Sequence, residues 1–386
     1  MDQYLKNLDE IVDKIAAIQE LIITNIVLLG QIPAPTFEEA RRVQFFMDRL
    51  AEVQIDECST DDFNNPIGVI RGTERSKPAI FVTSHLDTAF VSDMEHNFTI
   101  KENAIHGPGL LDNSVGVGVL ISLPEILKRL DIQFKSDIIL AGVTQSMGKG
   151  NLRGIRHLLK HWRKPIRAGV IIEGGELGRL NYYSDGMVRC EIVCNVEAAS
   201  RWERRFRPNA ILVLNDVINQ ILQIRLPQRP RSRIIIGKIK CGYKHGLIAF
   251  KGKLGFEIQS DSDEMVKMLF NDIKDIIDGI RHEHNVELVL KTISSSNAAS
   301  LKYNHPLVKT AVRVMHRLGL DPLSEPSESE LSIFLAHKIP SITVGLTHGY
   351  NYHLEDACME IEPMFQGIAQ IVGILLAIDQ GVCDEV

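Results

Sequence analysis

The sequence has few cysteines, few aromatic residues and no large excess of charge of either sign. Its six cysteines form no CxxC pair, which argues against a disulfide framework and against a thiolate zinc site. The net charge of −6 argues against nucleic acid as the main partner, and the local basic run Arg201 to Arg207 is expected to be a solvated face. No apolar run approaches the length of a membrane span, and the N-terminus has no cleavable apolar core. We therefore expect a cytoplasmic protein without membrane contact.

The length of 386 residues exceeds what one small core needs, so the sequence predicts two domains. Helix and strand patterns alternate up to Ser184 and again from Pro306, which predicts an α/β domain with a mostly parallel sheet. Between these parts the order is βαββαβ, typical of an inserted α+β, ferredoxin-like module. The predicted larger domain is discontinuous, residues 1–187 with 294–386, and the insert covers residues 188–293.

Several local patterns give further predictions. Apolar spacing over residues 3–29 predicts one long amphipathic helix, and Thr36 is a candidate N-cap for the next helix. Residues 188–195 alternate as an exposed antiparallel strand does. A late helix is predicted from Glu328 to His337.

A candidate metal site follows the apolar strand Ala79 to Val82. This strand places His85 and Asp87 at its C-terminal end, and Asp112 lies in a Gly-rich turn before a helix. A neutral imidazole and carboxylates suit zinc, and Asp87 is placed to hydrogen-bond the second nitrogen of His85. The alternative interpretation is a surface histidine and a helix-capping aspartate, which the His-x-Asp pair alone leaves open.

The surrounding motifs make this chain similar to a known enzyme family. They are Ile32 to Glu39, Ser84 to Thr88, Gly107 to Gly116, Asn151 to Gly154, Ile172 to Gly174, Arg207 to Ile211 and Tyr352 to Asp356. With these segments in this order, the chain resembles the zinc peptidases and amidohydrolases that include acetylornithine deacetylase, succinyl-diaminopimelate desuccinylase, peptidase T and glutamate carboxypeptidase. The resemblance implies an α/β catalytic domain of the phosphorylase/hydrolase type, interrupted by a lid that mediates homodimerisation.

The resemblance also implies roles for individual residues. His85, Asp112 and Glu173 match the ligands of one zinc ion, with Asp112 bridging, and His353 matches a ligand of a second ion. Asp87 matches an acid that supports the ligands from behind. The peptide bond between Asp112 and the next residue is often cis in the family. The implied ligand is a peptide or an acylated amino acid.

The chain departs from the family at the centre of this machinery. In the family, an adjacent Glu-Glu pair supplies the general base and one ligand of the second zinc. Counting back from Gly154, these two positions fall on Ser146 and Met147 in this chain. A hydroxyl is a poor proton acceptor near neutral pH, and a thioether is a poor substitute for a carboxylate on zinc. The segment from Val143 to Gly150 contains no acid.

Further departures affect substrate contacts. Ser200 stands where the family has a histidine that holds the scissile carbonyl, Gly246 and Gln259 replace an Asn and an Arg, and the loop Thr347 to Asn351 is shortened. Other residues could substitute for the missing groups. The alternatives are Glu176 or Glu355 as the base and His348 as a ligand or oxyanion donor. They are weaker, because each is more simply interpreted as a solvated loop residue.

These departures predict an incomplete site with one zinc ion or none. Two ions are expected only if an unrecognised ligand replaces Met147. The leading hypothesis is an aminoacylase-like metallopeptidase, a hydrolase of peptide or N-acyl-amino-acid amide bonds, that is impaired or inactive. The rival hypothesis is a pseudoenzyme, a non-catalytic module that binds a small ligand or a protein on the same scaffold.

Overall fold

A computed structural model describes residues 5, 7–196, 208–382 and 384. The chain divides into two compact units, Met1–Ser184 with Ser300–Val386, and Asp185–Ala299. The basic run Arg201 to Arg207 lies outside the described residues.

The elements alternate through the first unit and change character in the second. The helices are α1 Leu8–Ala16, α2 Gln19–Gly30, α3 Ala40–Glu52, α4 Val115–Arg129, α5 Arg153–His161, α6 Ala210–Leu222, α7 Asp263–His284, α8 Pro306–Arg317, α9 Leu331–Ala336 and α10 Glu362–Asp379. The strands are β1 Glu57–Thr60, β2 Pro66–Ile70, β3 Ala79–His85, β4 Thr99–Lys101, β5 Ala104–His106, β6 Ile138–Val143, β7 Ile166–Gly175, β8 Leu180–Asn181, β9 Tyr183–Ser184, β10 Gly186–Asn195, β11 Ser232–Cys241, β12 Lys251–Ser260, β13 Glu287–Ser296, β14 Ala299–Ser300, β15 Ser341–Thr347, β16 Gly349–Tyr350 and β17 Cys358–Glu360.

The first unit is built on a seven-stranded sheet with the order β1-β2-β6-β3-β7-β15-β8. The neighbours from β6 through β3 and β7 to β15 pair in parallel, and the outer strands pair antiparallel. The predicted α/β fold with a mostly parallel central sheet is confirmed. Because β3 and β7 are parallel neighbours, the residues at their C-terminal ends share one edge of the sheet.

Two core helices correct the expectation that no segment has membrane-spanning length. One is the segment Leu110–Arg129, which comprises α4 and the turn before it, and the other is α10, Glu362–Asp379. Both are long and apolar enough to cross a bilayer, judged by length and composition alone. However, 83% and 78% of their most apolar stretches are buried inside the protein, where they pack as core helices.

The second unit contains a four-stranded antiparallel sheet with the order β11-β12-β10-β13. Its elements follow the predicted βαββαβ order, with α6 and α7 between strands. The strand predicted to be exposed is β10, which pairs on both sides and turns Cys190 and Cys194 into the core.

The N-terminal predictions need two corrections. Residues 3–29 do not form one helix, because α1 ends at Ala16 and Ile18 has non-helical backbone angles. The break lets α1 pack against α10 while α2 packs against α4. Thr36 does not cap a helix, since α3 begins at Ala40 and the Thr36 hydroxyl donates instead to Asp87 Oδ2 at 2.8 Å.

A tight turn before α4 places Asp112 at the sheet edge. The peptide bond Asp112-Asn113 is cis, as the resemblance implied. The Asn113 amide donates to Ser84 Oγ at 2.9 Å and to the Ile172 carbonyl at 2.8 Å, and its Oδ1 accepts from Gly116 N at 3.1 Å. This buried side chain therefore joins the turn to β3 and β7.

Replacing Gly116 with alanine is expected to lower the free energy of unfolding of the first unit by about 1–3 kcal/mol, the usual cost of overpacking. The added methyl group would lie 2.2 Å from Asn113 Oδ1 and 2.6 Å from Ser84 Oγ. Chemical denaturation of the full chain measures the effect. The matched control is Gly279→Ala on α7, where no atom lies within 4 Å of the new methyl and a gain of about 1 kcal/mol is expected. Equal effects of the two substitutions would contradict the tight turn.

Candidate metal centre

Three ligand-type side chains meet at the edge where β3 and β7 end. His85 is the last residue of β3, Asp112 lies in the turn before α4, and Glu173 lies near the end of β7. His85 Nε2 is 3.1 Å from Asp112 Oδ1 and 3.9 Å from Glu173 Oε2, and one ligand atom from each residue lies within 4.8 Å of the others. The structure therefore brings together the three residues predicted to bind one zinc ion.

The orientation of His85 suits a metal ligand. Its Nδ1 lies 3.0 Å from the backbone carbonyl oxygen of Asp87, while the Asp87 carboxylate is farther away, at 3.6 Å. A carbonyl oxygen only accepts, so Nδ1 carries the proton and Nε2 faces the carboxylates of Asp112 and Glu173. The predicted hydrogen bond between His85 and Asp87 is thus accepted by the backbone carbonyl of Asp87.

The charges of the cluster are unbalanced without a cation. Burial raises the pKa of Glu173 to about 7, against the opposing effect of His85. Burial by itself lowers the pKa of His85, but the hydrogen-bonding carboxylates of Asp112 and Asp87 and the charges of Asp112 and Glu173 outweigh it and hold the pKa well above its usual value. In the absence of a metal ion, protons therefore compensate the buried carboxylates.

The donor set fits a divalent metal ion. One imidazole and two carboxylates are the ligand number and type of a three-residue catalytic site, which leaves a position for water or substrate. When bound, such an ion acts as a Lewis acid and lowers the pKa of water. His85, Asp112 and Glu173 would supply the ligands, and Asp87 would support them from behind.

Asp87 provides that support through three hydrogen bonds from two other segments of the chain. Its buried carboxylate accepts from the Thr36 hydroxyl at 2.8 Å, from Ser146 N at 3.2 Å and from Met147 N at 2.8 Å. Burial opposes ionisation, but the nearby His85 with its positive charge, the Met147 N–H and the Thr36 hydroxyl lower the pKa of Asp87. The carboxylate therefore fixes the loop after β6 beside the cluster.

The loop after β6 carries the two departures from the family. The Ser146 hydroxyl donates to Glu330 Oε1 at 2.6 Å, and both residues are buried. Met147 is half-buried, and its side chain contributes only a thioether. The loop places no carboxylate of its own beside the cluster.

His353 is less well placed than the other ligands. Its Nδ1 lies 3.7 Å from Asp112 Oδ2, and its side chain is 77% exposed. Asp112 thus faces His85 with one oxygen and His353 with the other, as a bridging ligand does. The second metal position implied by the resemblance would have these two residues and no carboxylate from the β6 loop.

The weaker alternatives are not supported by close contacts. Glu176 is exposed and pairs with Arg179 at 2.8 Å, and both Glu355 and His348 are exposed loop residues.

The positions that replace substrate contacts of the family lie elsewhere. Gln259 is buried in the second unit, where its side chain contacts Glu257 and Arg233. Gly246 has open space around it. Ser200 lies outside the described residues.

Sequence reasoning missed three buried residues near the centre. Glu39 accepts from Gln145 N at 2.9 Å, and Arg42 donates to the Leu86 carbonyl at 3.0 Å, with burial lowering the pKa of Arg42 to about 10. The third is Glu330. The motif from Ile32 to Glu39 pointed to the first, whereas Glu330 was assigned to the interior of a helix that in fact begins at Leu331.

Metal affinity is expected to rise at least tenfold per pH unit between about pH 5 and 7. Glu173, whose pKa of about 7 is raised by burial, and His85 both hold protons in this range, and the metal ion must displace them. Zinc titration followed by calorimetry in two buffers measures affinity and protons released. The control is Glu173→Gln, which should bind more weakly and release fewer protons. A pH-independent affinity would contradict this charge arrangement.

Comparison with solved structures identifies the fold. A tripeptidase from Staphylococcus aureus subsp. aureus Mu50 has a TM-score of 0.77 at 18% identity, covering 94% of this chain and 99% of its own. The dipeptidase Dug1p from Saccharomyces cerevisiae has a TM-score of 0.79 at 13% identity, covering 97% and 98%. A Bacillus subtilis protein described as a dinuclear metal-binding peptidase has a TM-score of 0.64 at 15% identity, covering 94% and 99%. At these identities the likeness shows the fold.

Sequence comparison supplies the family. No curated protein sequence matches the chain significantly. The model of peptidase family M20/M25/M40 matches residues 81–377, which include His85, Asp112, Glu173 and His353 and cover most of the chain. The chain belongs to peptidase family M20/M25/M40.

Proposed function

We propose that this chain is a hydrolase of peptide or N-acyl-amino-acid amide bonds that uses one metal ion and is impaired relative to family members with a complete site. The observation that carries the proposal is the buried cluster of His85, Asp112 and Glu173 at the C-terminal edge of the parallel sheet. The fold neighbours described as a tripeptidase and a dipeptidase support short peptides as the substrate class.

The second metal position is expected to be weak. It retains Asp112 and the exposed His353, while Met147 offers no carboxylate. Two protein ligands rarely hold zinc against cellular competition, and a site of this kind gains little from preorganisation when one ligand is on the surface. One ion per chain, held by the buried cluster, is therefore the proposed state.

The proposed impairment follows from the residue at the general-base position, which cannot take up a proton directly. Complete loss of general-base assistance costs roughly 10²–10⁴-fold in rate, and this is the upper limit of the impairment. Ser146 cannot by itself hold a proton taken from water near neutral pH, because a protonated hydroxyl is strongly acidic. A non-catalytic binding module remains the competing hypothesis, and its mark is ligand-dependent stabilisation without turnover.

We expect the natural protein to bind one zinc ion per chain and the Ser146→Glu/Met147→Glu double variant to bind two. The double variant places a carboxylate at the general-base position and another at the ligand position of the second metal ion. Native mass spectrometry after zinc loading counts the ions. The matched control, Ser146→Gln/Met147→Gln, has similar side-chain volume without charge and should stay at one.

Turnover is measured on the same preparations. A panel of di- and tripeptides and N-acyl amino acids, supplied with zinc, manganese or cobalt, should show slow hydrolysis by the natural protein that chelation abolishes. Two ions in the natural protein would mean that another residue replaces Met147. No hydrolysis with metal bound would favour the binding module.

The homodimer through the lid is a second part of the proposal. It is supported by β11, the outer strand of the lid sheet, which exposes the side chains of Ile235 and Ile239, 40% and 52% exposed. Light scattering at micromolar concentration should give the mass of two chains, and Ile239→Asp should shift the mass towards one chain because it adds a charge to this surface. A monomeric natural protein would exclude the dimer.

A further inference from the structure

A buried carboxylate lies beside the residue that occupies the general-base position. Ser146 Oγ donates a hydrogen bond to Glu330 Oε1 at 2.6 Å. Ser146 is 8% exposed and Glu330 is 0% exposed. The two residues are far apart in sequence and are joined only by the fold, since Ser146 follows β6 and Glu330 precedes α9. The weakly basic hydroxyl of Ser146 is therefore hydrogen-bonded to the carboxylate of Glu330, which is a stronger base.

Glu330 has no evident structural task that requires a carboxylate. It stands at the start of α9, but its side chain makes no capping hydrogen bond there. Its Oε2 is buried and has no hydrogen-bond partner among the described residues. A buried carboxylate oxygen without a partner costs free energy, so a residue kept only for packing would be better served by an apolar side chain of similar size.

The Ser146–Glu330 pair lies next to the residue that supports the metal cluster. The backbone N–H of Ser146 donates to the carboxylate of Asp87, whose backbone carbonyl accepts from His85. Ser146 also occupies the position where the resemblance places the base of the family.

We propose that Glu330 replaces the missing general base from a different part of the chain, with the Ser146 hydroxyl as the relay between substrate water and the Glu330 carboxylate. This inference rests on the proposed hydrolytic function. It assigns contact with the reacting water to Ser146 and assigns the proton reservoir to Glu330, which acts through Ser146 as a positioning residue.

The proton movements balance over one hydrolysis. The attacking water gives one proton to Ser146 Oγ while the Ser146 hydroxyl proton passes to Glu330 Oε1, and the water oxygen forms a bond to the scissile carbonyl carbon. The proton then returns from Glu330 through Ser146 to the leaving nitrogen as the C–N bond breaks. The products are an acid and an amine, and both protein residues regain their starting states.

The first test is a double-mutant cycle on the metal-loaded full chain. Ser146→Ala, Glu330→Gln and the combination should each lower kcat by roughly 10²-fold or more, with little change in KM, because residues that act as a unit are not additive. A base that must be ionised makes kcat fall at acidic pH, and this fall should be absent from all three variants. Zinc content should stay at one ion per chain. Glu325→Gln, an exposed acid in the segment before α9, is the matched control and should retain natural activity.

The outcomes separate this inference from the proposed function. Turnover that survives Glu330→Gln, or additive losses in the double variant, would overturn the relay and leave the hydrolase intact. Absence of turnover in the metal-loaded natural protein would overturn both. Loss of the metal ion in Glu330→Gln would also overturn the relay, because Glu330 would then act on metal binding.

A second test needs no substrate. In a Ser146→Cys background, the introduced thiol should react with iodoacetamide at pH 7 about tenfold faster when Glu330→Gln is added, because a neighbouring carboxylate disfavours the thiolate. Peptide mapping by mass spectrometry separates this thiol from the natural cysteines. Equal rates, or no reaction at this position in the folded protein, would show that the pair is not arranged for proton transfer at an accessible site.

Discussion

The arrangement of the centre depends on the buried carboxylate of Asp87. It accepts hydrogen bonds from the Thr36 hydroxyl and from two backbone N–H groups of the β6 loop, while its own carbonyl fixes the ring of His85. A buried carboxylate without these donors would be costly, so the two donor segments and the acid stabilise one another. The consequence is a fixed direction for His85 Nε2 and a fixed position for Ser146.

Excess negative charge is the second constraint on the site. Asp112 and Glu173 lie close to a single imidazole, and burial raises the pKa of Glu173 to about 7. Protons or a divalent cation relieve this excess. The same burial that destabilises the separate charges thus favours metal binding over an unoccupied, fully ionised site.

The buried cluster and the β6 loop differ in how well they match the family. The buried cluster and its support are present, whereas the β6 loop has Ser146 and Met147 where the resemblance implies two carboxylates. Glu330 places a carboxylate beside Ser146 but not within the cluster, so the proton transfer proposed for it is a separate property from the number of metal ions.

The sequence by itself determined the class of fold and the three clustered ligands. Helix and strand periodicity are local, and the family motifs occupy the ends of strands, so the α/β sheet and the residues His85, Asp112 and Glu173 could be predicted. The break between α1 and α2, the contact of Thr36 with Asp87 and the burial of Glu330 were decided only by tertiary structure. Each depends on packing between segments distant in sequence, and neither helical spacing nor a motif records which distant donor or acceptor will be met.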